Sequence, residues 1–527
     1  MLDARSSPLT FYFYNNKQHN QLSKMSPPDV QSLSIYHYNG PKVLVQPCTL
    51  AEAEKVLRHK AARKNHHLAK AQRTDREGKA VRLKFLNYAL WYDRHSAGVI
   101  SRQVFLDLVQ AIMHQNQMQL LCCADLNLTG TSAGTLFFQH NPDQTQEAVD
   151  VACIQLGYYD KLRIVRFPSD ELPGLERVIN QAWNSKYRSV EQSNKYGIKG
   201  FKLKGGSPWF CHETSNTVHM AGQQVILQMM AYMYENGWTR VVPFDCSTSD
   251  FDADSLLIFR DQLRMESPAP SSTQQFCAIA LERSHKLRLL LTDRKGSSPL
   301  DGNKTLDSFE AAVRRHWKGG IAETNTHGTS RQMKCRGSPW YPNTTEENIA
   351  SAKLICGILQ DLWALGWRWH CAVDLSTSVS DKSTFILRRS FPSEEDGLEQ
   401  GRIGCLQPKG HGKVNLVSFP PDLLSLVISK IQAHNWCAPL MKVESHGRSC
   451  ATIHFRCANL HYAHQTAQKL RTERIYTDLL SIVATAAGSN NNVTMMGCAD
   501  ISARFVSGGE HSPPRSLDTD AFFFVFT

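Results

Sequence analysis

Gly206-Ser207-Pro208-Trp209 recurs as Gly337-Ser338-Pro339-Trp340, and the two stretches are followed by the same parts. A long apolar run leads to Gly237-Trp238 in one and to Gly366-Trp367 in the other. Seven residues past that tryptophan stands an aspartate, Asp245 in Phe-Asp-Cys-Ser-Thr-Ser and Asp374 in Val-Asp-Leu-Ser-Thr-Ser. Trp209 to Asp245 is 36 positions and Trp340 to Asp374 is 34, so spacing is kept as well as composition. Self-similarity at a fixed period is the signature of a repeated supersecondary unit.

Weaker copies flank this pair. Trp91 precedes Asp125 by 34 positions, and Ala124-Asp125-Leu126-Asn127 and Ala499-Asp500-Ile501-Ser502 repeat the strand end. Upstream of each Pro-Trp region lies a second recurring run: Leu162 to Pro168, Leu287 to Leu291, Val414 to Pro420 and, at the N-terminal side, Val43 to Pro47. A short apolar run before each, such as Val151 to Gly157, reads as the first strand of a β-hairpin. A helical pattern follows, closing on Trp183, Trp317 and Trp436 in three copies.

The unit therefore reads ββαβαββ: a mixed, mostly five-stranded sheet packed with two helices, in the α+β or α/β class. Four tandem copies of about 115–125 residues are expected. They span 31–140 (with a basic insertion at 55–84), 148–262, 273–390 and 402–527, after a polar mobile tail at 1–30. The closing strands, such as Phe385 to Arg389 and Phe522 to Phe526, are apolar on both faces and require cover on both. Leu354, Ile358 and Leu362, with Ile355, Leu359 and Trp363 beside them, mark the second helix as a core helix.

At 527 residues and 42 % hydrophobic, the chain can support several cores. The formal net charge of +11 favours anionic partners. Fifteen scattered cysteines with no Cys-x-x-Cys read as small core residues, as at Cys153, Cys277, Cys371, Cys405 and Cys498. No run approaches the ~20 apolar residues of a membrane-spanning helix. The expectation is a cytoplasmic protein, with the nucleus as an alternative, and not a secreted one.

Two kinds of residue could contact a ligand. Trp209 and Trp340 either pack over the sheet end or present an aromatic face. Asp245 and Asp374, with Asp125 and Asp500, stand at strand ends, where α/β proteins place ligand-contacting groups; an Asx turn would use them structurally. Asp250, Asp252 and Asp254 resemble a calcium loop, but Ser255 stands where glycine is needed. No catalytic constellation, metal site or cofactor motif emerges.

From Lys55 to Lys84 there are eleven Lys or Arg against Asp75 and Glu77, a net +9 that holds most of the chain's excess charge. Lys60, Arg63, Lys64, Lys70 and Arg73 read as a helical basic stripe for nucleic acid or acidic lipid. Aromatics are missing between Lys55 and Arg82, which argues against a base-stacking platform. The expected function is that of a non-enzymatic intracellular repeat protein offering a macromolecular binding or scaffold surface, with a protein partner foremost. The alternatives are a small-molecule binder or enzyme with a site at the strand ends near Asp245 or Asp374, and nucleic-acid or anionic-lipid binding through the basic segment.

Overall fold

In this computed structural model of the protein, the residues described are 9–13, 30–37, 42–47, 68–73, 81–85, 105–106, 109–110, 113, 118–126, 134–140, 150–157, 160–184, 189–195, 198–209, 216–244, 255–260, 275–292, 299–375, 382–390, 401–409, 412–434, 440–456, 466–486, 493–501, 504–506, 515–517 and 520–527. They form an α+β protein built on four main sheets.

Sheet 1 contains β1 (Leu9–Phe13), β2 (Val30–His37), β3 (Lys42–Pro47), β4 (Leu68–Arg73), β5 (Val81–Phe85), β6 (Met118–Ala124) and β7 (Thr135–His140), ordered β4-β5-β3-β1-β2-β7-β6. Sheet 2 contains β8 (Asp150–Gly157), β9 (Lys161–Val165), β10 (Ser189–Lys195), β11 (Ile198–Lys204), β12 (Trp238–Phe244) and β13 (Ser255–Arg260), ordered β10-β11-β9-β8-β13-β12. Its helices are α1 (Leu172–Asn184) after β9 and α2 (Asn216–Glu235) after β11.

Sheet 3 repeats that order with β14 (Phe276–Glu282), β15 (Lys286–Leu291), β16 (Ile321–His327), β17 (Ser330–Cys335), β18 (Trp367–Val373) and β19 (Thr384–Arg389), and helices α3 (Pro299–His316) and α4 (Thr345–Trp363). Sheet 4 repeats it again with β20 (Arg402–Lys409), β21 (Lys413–Val417), β22 (Leu440–Ser445), β23 (Ala451–Phe455), β24 (Val493–Ala499) and β27 (Ala521–Phe526). Its helices are α5 (Pro421–Ala433) and α6 (Thr466–Ala486), and a short pair, β25 (Arg504–Val506) with β26 (Arg515–Leu517), precedes β27.

Sheets 2 to 4 are six-stranded and antiparallel throughout, not mixed and five-stranded. The strand absent from the sequence reading is the outermost one: β10, β16 and β22. Its composition explains the omission. In β16, Ala322, Glu323, Asn325, Thr326 and His327 are exposed while Ile321 at its start packs against the core, so this edge strand shows no apolar alternation. The expected polar tail at 1–30 also needs correction, since Leu9–Phe13 forms β1, parallel to β3 and antiparallel to β2. Its Leu-Thr-Phe-Tyr-Phe run has the aromatic, β-branched character of a strand.

Each second helix lies between its own sheet and the next one. Val225, Ile226, Met229 and Met230 of α2 share a core with Leu162 and Ile258 of sheet 2 and with Phe276, Ala278 and Leu290 of sheet 3. Leu354, Ile355, Ile358, Leu359 and Leu362 of α4 likewise join sheet 3 to Ile403, Cys405, Phe523 and Val525 of sheet 4. Tyr476, Leu479 and Val483 of α6 join sheet 4 to Cys122, Ala124 and Phe137 of sheet 1. Phe105, from the segment before β6, stacks on Phe244 of sheet 2 with ring centroids 4.7 Å apart.

The series therefore closes on itself. The inner edge strands also meet in a circle: β6 adjoins β12, β12 adjoins β18, β18 adjoins β24, and β24 adjoins β6. All four carry a register shift, between Leu120 and Cys122, Trp238 and Arg240, Trp369 and Cys371, and Met495 and Gly497. A bulge increases local twist, which lets the inner strands turn around one another. At Gly497 the approach is tight enough that a Cβ would lie 2.7 Å from Trp369 Nε1.

Because α4 is covered on two sides, Leu359 is 3 % exposed although its helix is only one of two on sheet 3. Leu359→Ala is expected to cost about 2–5 kcal/mol, read as a fall in the urea midpoint. An unchanged midpoint would show that α4 does not pack as described.

Candidate functional site

The strand-end aspartates are placed by the inner strands. Asp125 follows β6, Asp374 follows β18 and Asp500 follows β24, each half-buried; Asp245, after β12, lies outside the described residues. Two of the three take part in the same backbone clasp. The N–H of Asp500 donates to Ser383 Oγ at 2.9 Å, and the N–H of Ser383 donates to the Asp500 carbonyl at 3.1 Å. Between sheets 4 and 1, the N–H of Asp125 donates to Asp520 Oδ2 at 2.6 Å, and the N–H of Asp520 donates to the Asp125 carbonyl at 3.1 Å.

Ser383 and Asp520 occupy equivalent places, each immediately before the final strand of its sheet. A short polar side chain there caps the first residue past the neighbouring inner strand, in the manner of an Asx or Ser turn made across two sheets. The Asp500 carboxylate has a further partner. Lys382 Nζ lies 3.6 Å from Asp500 Oδ2, and the lysine side chain is wholly buried, with its ammonium 5.3 Å from the centroid of the Tyr341 ring. A buried ammonium is tolerated only when paired, so this ion pair ties sheet 3 to sheet 4 at the inner strand ends.

Sequence reasoning did not single out Lys382, Ser383 or Asp520. Their one signal is position, just upstream of the closing strand, and no local pattern links them to an aspartate some 117 residues on or 395 residues back.

The two Pro-Trp tryptophans are buried to 0 % exposure. Trp209 donates its Nε1–H to the carbonyl of Lys161 at 3.1 Å, and Trp340 donates to the carbonyl of Lys286 at 2.7 Å. Those lysines begin β9 and β15, so each indole locks the second helix's entry to the hairpin. Each Pro-Trp turn is held from the second helix as well: His219 Nδ1 lies 3.2 Å from the Pro208 carbonyl, and Ser351 Oγ donates to the Pro339 carbonyl. Neither ring presents a face to solvent.

Where sheets 2 and 3 meet, His370 bulges from β18 against Phe276 and Tyr234, with ring centroids 5.2 and 6.4 Å away. Burial, helped by the nearby Arg388 guanidinium, pushes its pKa down to about 3, so the ring is neutral at physiological pH. Arg388 lies over the Tyr234 ring at 4.4 Å. This contact is an aromatic seam between sheets.

The basic residues fall differently from the sequence reading. Lys70 and Arg73 lie on β4, not on a helix, and β4 pairs with β5. Lys60, Arg63 and Lys64 lie outside the described residues, as do Asp250, Asp252 and Asp254. The ten described cysteines are all buried and carry free thiols. Among the described residues, no three His, Cys, Asp or Glu side chains gather as a metal site, and no helix is long and apolar enough to cross a membrane.

No curated protein and no solved structure matches the chain. A domain family model matches it twice, over residues 150–260 and 275–388, so sheets 2 and 3 with their helices are two copies of one domain.

Proposed function

We propose that the chain is a non-enzymatic scaffold of four α/β copies whose outer rim binds other macromolecules. The observation that carries this reading is the edge strand set at the rim of sheets 2 to 4, with β10, β16 and β22 each the outermost strand of the same antiparallel hairpin and β16 largely exposed. The doubled domain match supports two of the copies, and the shared strand order of sheet 4 supports a third. Sheet 1 keeps that order with β1 added between β3 and β2. An unpaired strand edge is a template for strand addition, and repeating it around a closed series multiplies valency without new chemistry. The strand-end aspartates and the tryptophans meanwhile hold sheets and helices together.

The test is cross-linking of the full chain in cell extract, read by mass spectrometry, beside a Glu323→Arg, Asn325→Arg variant. Those two side chains are exposed on β16, so melting is expected to be unchanged while a reproducible set of protein partners falls severalfold. An unchanged partner set, with a small molecule that co-purifies with wild type and is lost in Asp374→Asn, would move the function to the strand ends.

A further inference from the structure

The turn between β14 and β15 gathers positive charge that no neighbouring acid takes up. Lys286, the first residue of β15, stands directly opposite Lys334 of β17, and Arg336 follows Lys334 by two residues. Arg283 sits in the turn itself with φ at 53°. Arg283, Lys334 and Arg336 are exposed, and Lys286 is half-buried. The backbone fixes these positions relative to one another: the N–H of Cys335 donates to the His285 carbonyl at 2.8 Å, and that of Trp340 to the Ser284 carbonyl at 3.2 Å. Side chains directly opposed across a ladder have Cβ atoms about 4.5–5.5 Å apart, so the two lysines repel.

Two glutamates stand opposite these lysines by register, and neither is ion-paired with them. Glu282, opposite Lys286, accepts from Arg288 Nη2 at 3.2 Å and from Gln332 Nε2 at 2.7 Å. Glu323, opposite Lys334, accepts from Asn325 Nδ2 at 2.9 Å. Among the described residues, Arg283, Lys286, Lys334 and Arg336 thus form no ion pair. His285 registers the excess. Its Nδ1 lies 2.8 Å from Ser284 Oγ, and burial, followed by the charges of Lys334, Lys286 and Arg283, pushes its pKa below the usual imidazole value.

The other copies show that the fold does not require this arrangement. In sheet 2, Asp160 takes the place of His285: its carbonyl accepts from the Leu203 N–H as that of His285 accepts from Cys335. The Asp160 carboxylate lies 4.0 Å from Lys202 Nζ, the counterpart of Lys334. In sheet 4, Glu444 is paired with Lys442 and sits 3.0 Å from Nε2 of His454, which occupies the same place. Sheets 2 and 3 are copies of one domain, so the missing acid is a property of this copy. Clustered like charge destabilises a fold through self-repulsion unless an anion offsets it.

We propose that this turn of sheet 3 is a binding site for two linked phosphate groups of a soluble ligand, held by Arg283, Lys286, Lys334 and Arg336. A phosphate group carries about −1.5 to −2 at pH 7 and three acceptor oxygens, so two of them match the four cations. The arginines supply forked donors and the lysines point charges. The positions surround one turn, which suits a short anion and not the length of a nucleic-acid backbone. A phosphate bound there also favours the charged form of His285 and raises its pKa. The site does not depend on the scaffold reading, which concerns the outer edge of β16.

The experiment is calorimetric titration of the full chain with inorganic pyrophosphate at about 0.15 M salt, where exposed charges more than about 8 Å apart are largely screened. It is paired with NMR of the His285 ring, identified by the signal lost in His285→Gln. Wild type is expected to bind pyrophosphate, with the His285 midpoint moved upward. The Arg283→Gln, Lys334→Gln variant changes two exposed side chains, so unchanged melting and roughly tenfold weaker binding are expected. His285→Asp, which recreates the arrangement of sheet 2, is expected to weaken binding as much and carries the test if the double variant misfolds. Glu323→Gln is expected to tighten binding severalfold, and Lys202→Gln to change nothing. Any of four results would overturn the assignment: no pyrophosphate binding by wild type, wild-type affinity in both weakened variants, an equal loss in Lys202→Gln, or binding to vesicles carrying phosphatidylinositol bisphosphate while pyrophosphate stays free.

Discussion

Asp500→Ala is expected to destabilise the protein by about 3–5 kcal/mol, the cost of breaking a buried ion pair by removing one member. The substitution removes the Asp500 carboxylate from the Lys382 ammonium, whose side chain has no exposed surface. The backbone clasp with Ser383 survives, because it uses the N–H and carbonyl of residue 500. The loss therefore reports the ion pair and not the turn. Lys382→Met combined with Asp500→Asn is expected to recover much of the stability, since removing both charges leaves neither uncompensated. Urea titration of the three variants checks this, and an Asp500→Ala midpoint within experimental error of wild type would show that sheets 3 and 4 are not joined here.

Trp340→Ala is expected to cost about 3–5 kcal/mol as well, by removing a wholly buried indole from the core shared by α4 and sheets 3 and 4. Trp340→Phe separates the two contributions of that side chain. The ring volume is partly kept, while the Lys286 carbonyl loses the 2.7 Å donor it had, which costs about 1–3 kcal/mol if no water replaces it. The order wild type, then Phe, then Ala in urea midpoint is the expected result. Equal midpoints for Phe and wild type would assign the effect to packing alone. The same variants bear on ligand contact: an indole with no exposed face is expected to resist quenching by added ligands.

The repeat was legible in the sequence because it rests on residues that do the same local task in each copy. Pro-Trp turns the chain into the second helix and plugs it, Gly237 and Gly366 end that helix in the left-handed region at φ 84° and 85°, and the aspartate ends the inner strand. The amphipathic ridge of α4 was legible for the same reason, being periodic over 19 residues. The outer strands were not, since a solvated edge is under no pressure to alternate. The basic segment was read as a helix from its charge, whereas Lys70 and Arg73 belong to a hairpin whose partner strand, β5, starts 8 residues after β4 ends.

Local information thus determined, for the units of sheets 2 to 4, the two helices, the core face of α4 and the hairpin that opens each sheet. It also located the excess positive charge near the N-terminal side of the chain. Tertiary structure alone set the rest. That α6 covers sheet 1, that Asp125 meets Asp520 and that Asp500 meets Lys382 all depend on pairings between residues far apart in the chain. Side-chain packing fixes such pairings only when the units assemble, because the second face of sheets 3, 4 and 1 is buried by a helix that the preceding unit of the series supplies.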